Sequence, residues 1–358
     1  MRILVVNAGS SSLKLRLLGP GDTLLAEADI ASPRAEVDER ALAGWIAGAG
    51  IVDAVGHRIV HGGERFRDAT RIDPGVVREL RALADLAPLH QPKSLAALDA
   101  VGRALPGTPA VACFDTAFHA TLAPAATTYA VPAAWRERWG VRRYGFHGLS
   151  HAYAARRAAE LTGAARIVTC HLGAGASLAA VRDGRSVDTT MGFTPLEGLV
   201  MATRSGSVDP GLLLWLLERE SIGIGEMADA LEHDSGLLAL AGTADMREVL
   251  GRAPTDSAAR LALAVYVHRL RAGIAAMTAA LGGLDALVFT GGVGERAAAI
   301  RTAAAGGLGF LGVAIDPAAN EAADGDADVS APGAAVRTLV VSAREDLEIA
   351  GQVRAVLG

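Results

Sequence analysis

Ile3-Leu4-Val5-Val6-Asn7-Ala8-Gly9-Ser10-Ser11 can be laid over Ile167-Val168-Thr169-Cys170-His171-Leu172-Gly173-Ala174-Gly175. Each copy is an apolar strand that runs into a turn of small residues. Each is followed by a second strand, Leu13–Leu18 in the first case and Ser177–Arg182 in the second. Asp183-Gly184 then makes a good hairpin turn into a third strand over Arg185–Thr190. A strand–turn–strand unit that occurs twice predicts two related domains. The length of 358 residues agrees, since one hydrophobic core rarely serves so long a chain.

Working outward, Thr23–Ile30 reads as a third strand of the first copy. Helical patterns follow at Val37–Ala47, Gly75–Leu86 and Ser94–Leu105, with strands at Ala54–Val60 and Ala110–Phe114. That order predicts a mixed sheet with helices on its faces. The later part is helix-rich, over Pro210–Glu220, Ile224–His233 and Ser257–Leu281. Ala286–Thr290 is a strand that breaks at Gly291-Gly292 and leads to a helix from Glu295. Thr338–Val341 is a last strand and Asp346–Leu357 a last helix. No low-complexity linker separates the halves, so the boundary is placed at a crossover near 115–120. The first domain is then residues 1–117, with helix 346–358 packing back on it, and the second is residues 118–345.

Composition narrows the function. Hydrophobic residues make up 51% and charged residues 20%, which suits a folded globular chain. A net charge of −5 asks for neither nucleic acid nor an anionic membrane as partner. Cys113 and Cys170 each lie in an apolar run and read as buried free thiols. Asn7 interrupts the N-terminal apolar run, no signal-peptide cleavage region follows, and no apolar stretch reaches the ~18 residues of a membrane span. A cytoplasmic location is expected.

Several common chemistries lack their motifs. There is no G-x-x-x-x-G-K-[ST] phosphate loop, no G-x-S-x-G elbow, no H-E-x-x-H, no C-x-x-C and no G-x-G-x-x-G after the first strand. Present instead are three small-residue turns at strand ends, Asn7–Ser12, His171–Ala176 and Thr290–Glu295. Such turns let backbone N–H groups approach phosphate oxygens. Two of them in matching positions of a repeat resemble the paired phosphate-binding hairpins, facing across a cleft, of actin-like and sugar-kinase ATPases. Polar clusters accompany them: Gly56-His57-Arg58-Ile59-Val60-His61-Gly62-Gly63, Phe114-Asp115-Thr116-Ala117-Phe118-His119, Tyr144 to His151, and Met201 to Gly206.

Together these segments are similar to those of the acetate kinase family and occur in its order. They are NAGSSSLK at 7–14, GHRIVHGG at 56–63, LAPLHQP at 86–92, FDTAFH at 114–119, RRYGFHGLSH at 142–151 and HLGAGAS at 171–177. DTTMGFTPLEGL at 188–199, ATRSGSVDP at 202–210, FTGGVGE at 289–295 and EDLEIA at 345–350 complete the set. The resemblance implies two duplicated actin-like, ribonuclease H-like α/β domains with an ATP cleft between them. It implies transfer of a phosphoryl group between ATP/ADP and acetate/acetyl phosphate, with Mg²⁺ or Mn²⁺, in a homodimer formed through the second domain. Propionate is the alternative acceptor.

Residue roles implied by the resemblance follow motif by motif. Asn7 and Glu345 would help place the metal, with Ser10, Ser12 and Lys14 near the phosphates. Arg58 and Arg204 would hold the carboxylate and the transferring group, and Asp115 would orient the metal. His147 would donate a hydrogen bond to the phosphoryl oxygens, supported by His90 and His171. Val60, Leu89, Phe146 and Pro195 would line the acyl pocket. The turn Leu172, Gly173, Ala174 and Gly175 would meet ATP, and Asp245, Met246 and Arg247 with Gly291, Gly292, Val293 and Gly294 would flank its nucleoside. The chain departs from the family at Ala174, where Asn is usual, at Ala343-Arg344-Glu345-Asp346 in place of TNEE, and at Gln91 and Lys93. It is also somewhat shorter than typical members.

These residue types suit the chemistry. A carboxylate acceptor has a pKa near 4 and is already ionised at neutral pH, so it needs no general base. It needs relief of repulsion between two anions, which two arginines and a divalent cation supply. Asp115 is therefore read as a positioning residue and not as a base.

Overall fold

A computed structural model of the chain describes residues 1–9, 12–31, 37–84, 91–219 and 222–358. The chain divides into two compact units. The first is Met1–Ala120 with Phe146–Tyr153 and Arg344–Gly358; the second is Thr121–Gly145 with Ala154–Ala343. Segment 146–153, which the sequence reading put in the second domain, thus belongs to the first unit. That segment packs by close backbone approach, described below, which no periodicity reveals.

The first unit holds a six-stranded sheet of β1 (Ile3–Ala8), β2 (Ser12–Leu18), β3 (Leu24–Ala31), β4 (Ala54–Ile59), β5 (Thr70–Arg71) and β6 (Ala110–Phe114). Their spatial order is β3-β2-β1-β4-β6-β5. β1, β4 and β6 run parallel, whereas β2, β3 and β5 are antiparallel to their neighbours. The two-residue alternation of the strands makes two cores. Leu4, Val6, Leu15 and Val55 face helices Glu39–Ala49 and Gln91–Ala104 through Leu42, Ile46, Ala97 and Val101. Ile3, Val5, Ala54 and Val111 face the last helix, Glu345–Leu357, through Ile349, Ala350 and Val353. Packing that last helix on β1 and β4 is what carries Glu345 to the ends of the parallel strands.

The second unit repeats the plan. Its strands are β7 (Arg166–Leu172), β8 (Ala176–Arg182), β9 (Arg185–Thr189), β10 (Ala286–Thr290), β11 (Ala327–Asp328) and β12 (Arg337–Val340). Their order is β11-β12-β10-β7-β8-β9, the first sheet read from the other edge. β10 is parallel to both β7 and β12, and the strands on either side are antiparallel. The β8–β9 turn has positive φ at Asp183 (50°) and Gly184 (75°), as an Asp-Gly hairpin requires. Helix Ser257–Leu281 lies against this sheet. Asp256 caps it by accepting from the Ala258 amide at 2.8 Å, and Gly282 ends it in the left-handed region at φ 68°. One expectation is corrected here. The helix after β10 starts at Gly291 and not at Glu295, because the glycines that break the strand form its first turn.

Candidate functional site

Parallel strands bring their C-terminal ends to one edge of a sheet, where α/β proteins bind ligands. In the first unit that edge gathers Asn7 at the end of β1, Arg58 on β4 and Asp115 directly after β6. Register makes them neighbours, since Val6 pairs with His57 and Arg58 with Cys113. Arg58 forks onto Asp115, Nε donating to both carboxylate oxygens at 3.1 Å and Nη2 to Oδ2 at 2.6 Å. Arg58 Nη1 also donates to Asn7 Oδ1 at 3.1 Å, and Asn7 Nδ2 donates to Glu345 Oε2 at 2.6 Å. Among the described residues this leaves one N–H on each terminal nitrogen of Arg58 for a further anion.

Burial governs the charges. The side chains of Arg58 and Asp115 are only 14% and 1% exposed. Desolvation alone would lower the Arg58 pKa, but Asp115 and Glu345 outweigh it and raise the value, so the guanidinium stays charged. Asp115 is pushed above the ordinary aspartate value by burial and by the Glu345 charge, with Arg58 pulling the other way. Two carboxylates around one guanidinium leave the cluster one charge short.

His147 stands beside this network in an unusual conformation. Its φ of 55° is left-handed, which costs a non-glycine residue on the order of 1 kcal/mol or more. Two contacts hold it there. The Gly148 amide donates to the Asp115 carbonyl at 2.9 Å, and His119 Nε2 donates to the Phe146 carbonyl at 3.0 Å. A Cβ on Gly148 would lie 2.2 Å from the Asp115 carbonyl oxygen, so only glycine permits this approach. The His119 and His151 rings are 5.8 Å apart, and those of His147 and His151 are 6.5 Å apart. Burial pushes His57, His61 and His119 down to about 4, which keeps them neutral. Val60 and Phe146 are buried in the same unit, whereas Leu89 and His90 lie outside the described residues, as do Ser10 and Ser11. Lys14 pairs with Asn7 across β1 and β2, and the Gly9 amide donates to the Ser12 carbonyl at 2.9 Å to close that turn.

In the second unit the corresponding edge is built from small residues. The turn after β7 closes with the Gly173 amide donating to the Gly175 carbonyl at 2.9 Å. Ala174 accepts from the Ala202 amide at 3.1 Å, which ties this turn to the loop carrying Arg204. Helix Gly291–Arg296 begins at the end of β10, next in the sheet to β7 and His171. Arg204 Nη1 donates to the Pro195 carbonyl at 2.9 Å, and its Nε is 3.6 Å from Glu232. Burial lowers the Arg204 pKa and Glu232 opposes that shift. Asp245 caps helix Met246–Arg252 and pairs with the exposed Arg247 at 2.6 Å, with Met246 buried beneath.

A family model described as the Acetokinase family matches residues 39–351. The chain belongs to that family. An acetate kinase of Leifsonia xyli subsp. xyli is 47% identical over 388 residues, covering 98% of this chain and 97% of that protein. The crystal structure of Porphyromonas gingivalis acetate kinase matches with a TM-score of 0.91 at 36% identity, covering 100% of both chains. A propionate kinase from Francisella tularensis subsp. tularensis matches with a TM-score of 0.92 at 34% identity, covering 99% of this chain and 100% of that one. The acetokinase relationship makes the chain a kinase of two duplicated α/β domains, with ATP and ADP as co-substrates.

The acetokinase reading brings a divalent cation with it, and the residues present fit one. Asp115, Glu345 and the Asn7 amide oxygen are hard oxygen donors, and the pressure of Glu345 on Asp115 is what a cation would relieve. Among the described residues no three His, Cys, Asp or Glu side chains are grouped to hold a metal. A cation here would rest on one or two carboxylates and complete its shell with water and phosphate oxygens, the habit of Mg²⁺.

The sequence reading gave no role to three residues that shape the site. His119 and Gly148 hold the His147 turn, and both lie inside segments that had been singled out. Gln91 was taken as a departure from the family. It is fully buried, accepts from the His61 amide at 3.2 Å and donates to the His61 carbonyl at 3.2 Å, so it fixes the chain just beyond Arg58. A hydrophobicity pattern carries no sign of such side-chain-to-backbone pairing.

Proposed function

We propose that the chain transfers the γ-phosphoryl group of ATP to acetate, reversibly and in line, giving acetyl phosphate and ADP. The observation that carries this reading is the Arg58–Asp115–Asn7–Glu345 network. It presents a buried, permanently charged guanidinium with N–H groups to spare, and its aspartate is locked by two-point contact. A carboxylate so held is poorly placed to abstract a proton, and an acetate ion has none to give.

The step then needs little beyond placement and charge. A carboxylate oxygen of acetate forms the new P–O bond while the bond from phosphorus to the β–γ bridging oxygen breaks, and no proton moves. Arg58 and Arg204 offset the repulsion between the anions, and His147, held left-handed by its neighbours, donates to the phosphoryl oxygens. Asn7, Asp115 and Glu345 would hold Mg²⁺, which would supply charge neutralisation on the phosphates. Val60, Leu89, Phe146 and Pro195 bound the methyl group. Ser12 and Lys14, the His171–Gly175 turn, the Gly291–Gly294 turn and the Asp245–Arg247 corner receive the nucleotide.

The Francisella relative named for propionate favours a second acceptor, and one methylene is worth only about 1–3 kcal/mol in an apolar pocket. The test is ATP- and Mg²⁺-dependent acyl phosphate formation from acetate, propionate and butyrate, trapped as hydroxamates. The highest kcat/KM on acetate supports the assignment; a clear preference for propionate moves it to that acid; no product from any of them removes the reaction.

The working form proposed is a cytoplasmic homodimer. Helix Pro210–Arg219 in the second unit buries none of its residues and exposes Leu212, Leu214 and Trp215 at 46%, 62% and 48%. Such a face suits a second copy. Trp215→Glu should shift the species seen by analytical ultracentrifugation from dimer to monomer. A wild type that sediments as a monomer removes this part.

A further inference from the structure

Glu197 lies in the DTTMGFTPLEGL segment and has no part in the chemistry above. In the second unit it is the centre of a polar knot. Tyr129 donates its hydroxyl hydrogen to Glu197 Oε2, and Arg143 Nη2 donates to Glu197 Oε1 at 2.7 Å. The Arg143 guanidinium also lies over the Tyr129 ring, 5.5 Å from its centroid.

Arg143 and Tyr129 are also tied to the backbone of the loop that carries Glu197. Arg143 Nη1 donates to the carbonyls of Thr190 at 3.1 Å and Met191 at 3.0 Å. The Phe193 amide donates to the Tyr129 hydroxyl oxygen at 3.0 Å. The Tyr144 and Gly145 amides donate to the Gly192 carbonyl at 3.0 Å and 3.2 Å. A Cβ on Gly192 would lie 1.7 Å from Glu197 Oε2 and 2.1 Å from the Tyr129 oxygen, so a larger residue there would push the ends of those two side chains aside. The next turn of this loop is Pro195, whose carbonyl receives Arg204.

We infer that Tyr129, Arg143 and Glu197 are positioning residues that fix the 190–197 loop, and so set both the aim of Arg204 and the place of Pro195, the second unit's residue assigned to the acyl group. The inference rests on the proposed roles of Arg204 and Pro195. Partly buried, mutually hydrogen-bonded groups of this kind hold one geometry more tightly than apolar packing does. A displacement of about 1 Å at a reacting group can cost on the order of 10²-fold in rate. None of the three needs to touch substrate for its loss to be felt.

Tyr129→Phe keeps the ring beneath Arg143 and removes only the hydroxyl, whereas Glu197→Ala removes the centre of the knot. Both are compared with wild type in the hydroxamate assay, with thermal melts to establish folding. The expected result is a rise in KM for the carboxylate, roughly tenfold for Glu197→Ala and a few-fold for Tyr129→Phe. KM for ATP should stay within about twofold, and the ratio of kcat/KM for acetate over propionate should fall. If Glu197→Ala does not fold, Tyr129→Phe alone carries the comparison. Folded variants with unchanged carboxylate KM and unchanged acid selectivity, beside an active wild type, overturn the positioning role and leave the proposed function standing. A wild type that phosphorylates no carboxylate overturns both.

Discussion

β1, β4 and β6 of the first unit and β7, β10 and β12 of the second hold the same places in two sheets of the same order. Their registers allow residue-by-residue comparison. Asn7 corresponds to His171, Arg58 to Thr290 and, continuing the ladder past β6 and β12, Asp115 to Ala343. One copy therefore ends in a charged, mutually bonded cluster and the other in small residues and glycine turns. Duplication supplied the same strand ends twice. Under the proposed function, the charges of one set handle the reacting anion and the open backbone of the other receives phosphate oxygens.

The largest effect should come from breaking the charged copy. Arg58→Ala should lower kcat by about 10²–10³ or more, the scale of other electrostatic stabilisers. It should also cost stability, about 3–5 kcal/mol, because Asp115 is left buried without its partner. Arg204→Ala should cost similar turnover but only roughly 1 kcal/mol of stability, since its ion pair with Glu232 is looser at 3.6 Å. Steady-state rates and urea unfolding of both variants measure this contrast. Equal destabilisation by the two would erase it.

Gly148→Ala comes next. The added Cβ would collide with the Asp115 carbonyl oxygen at 2.2 Å and with Phe118 Cβ at 2.9 Å. Either the His147 turn or the strand end must move, and kcat should fall on the order of 10²-fold. A fully active Gly148→Ala would show that the placement of His147 does not matter.

Acid should act on the first unit through its buried histidines. His57, His61 and His119 titrate at about 4 in the fold, against 6.5 for an unperturbed histidine. A folded pKa below the unfolded one means that the unfolded chain takes up protons first. Stability from these groups is complete above 6.5 and is lost as pH falls from there through 4. At pH 5 each should cost roughly 1–2 kcal/mol. Denaturant midpoints at pH 7.5 and 5.0 should differ accordingly, and identical midpoints would mean that these rings are not held neutral.

The smallest effect expected is in the second copy. Ala174→Asn restores the side chain usual in the family, but the turn is closed by Gly173-to-Gly175 and Ala202-to-Ala174 backbone bonds that do not depend on it. KM for ATP should change by no more than about threefold, since a single neutral hydrogen bond is worth about 1 kcal/mol or less. A much larger gain would show that backbone donors alone are insufficient.

Much of this was legible in the sequence because it lies in strands. Ala110–Phe114 and Ala286–Thr290 were read to the residue from apolar runs. Asp115 stands out as a charge at the end of such a run, and Arg58 as one set among histidines and glycines. The overlay of Asn7 on His171 survives in the sheet registers. The rest depends on pairings between distant residues that leave no period. Glu197 finds Tyr129 across 68 positions and Arg143 across 54. The 146–153 segment joins the first unit through the Gly148 amide, the His119–Phe146 bond, the His61–Phe146 ring contact and Leu149 in the core against the last helix. At Gly291 the residue that signals a strand break also opens a helix, so local reading placed the start four residues late.

The most direct test of the division of labour between the two copies is ADP affinity, measured by calorimetry with Mg²⁺, beside acetyl phosphate turnover in Arg58→Ala. If the charged strand ends of the first copy act on the transferring group and the turns of the second carry most of the ADP affinity, Kd for ADP should stay within about threefold of wild type while turnover falls by about 10² or more. A loss of ADP affinity in proportion to the loss of turnover would contradict that division.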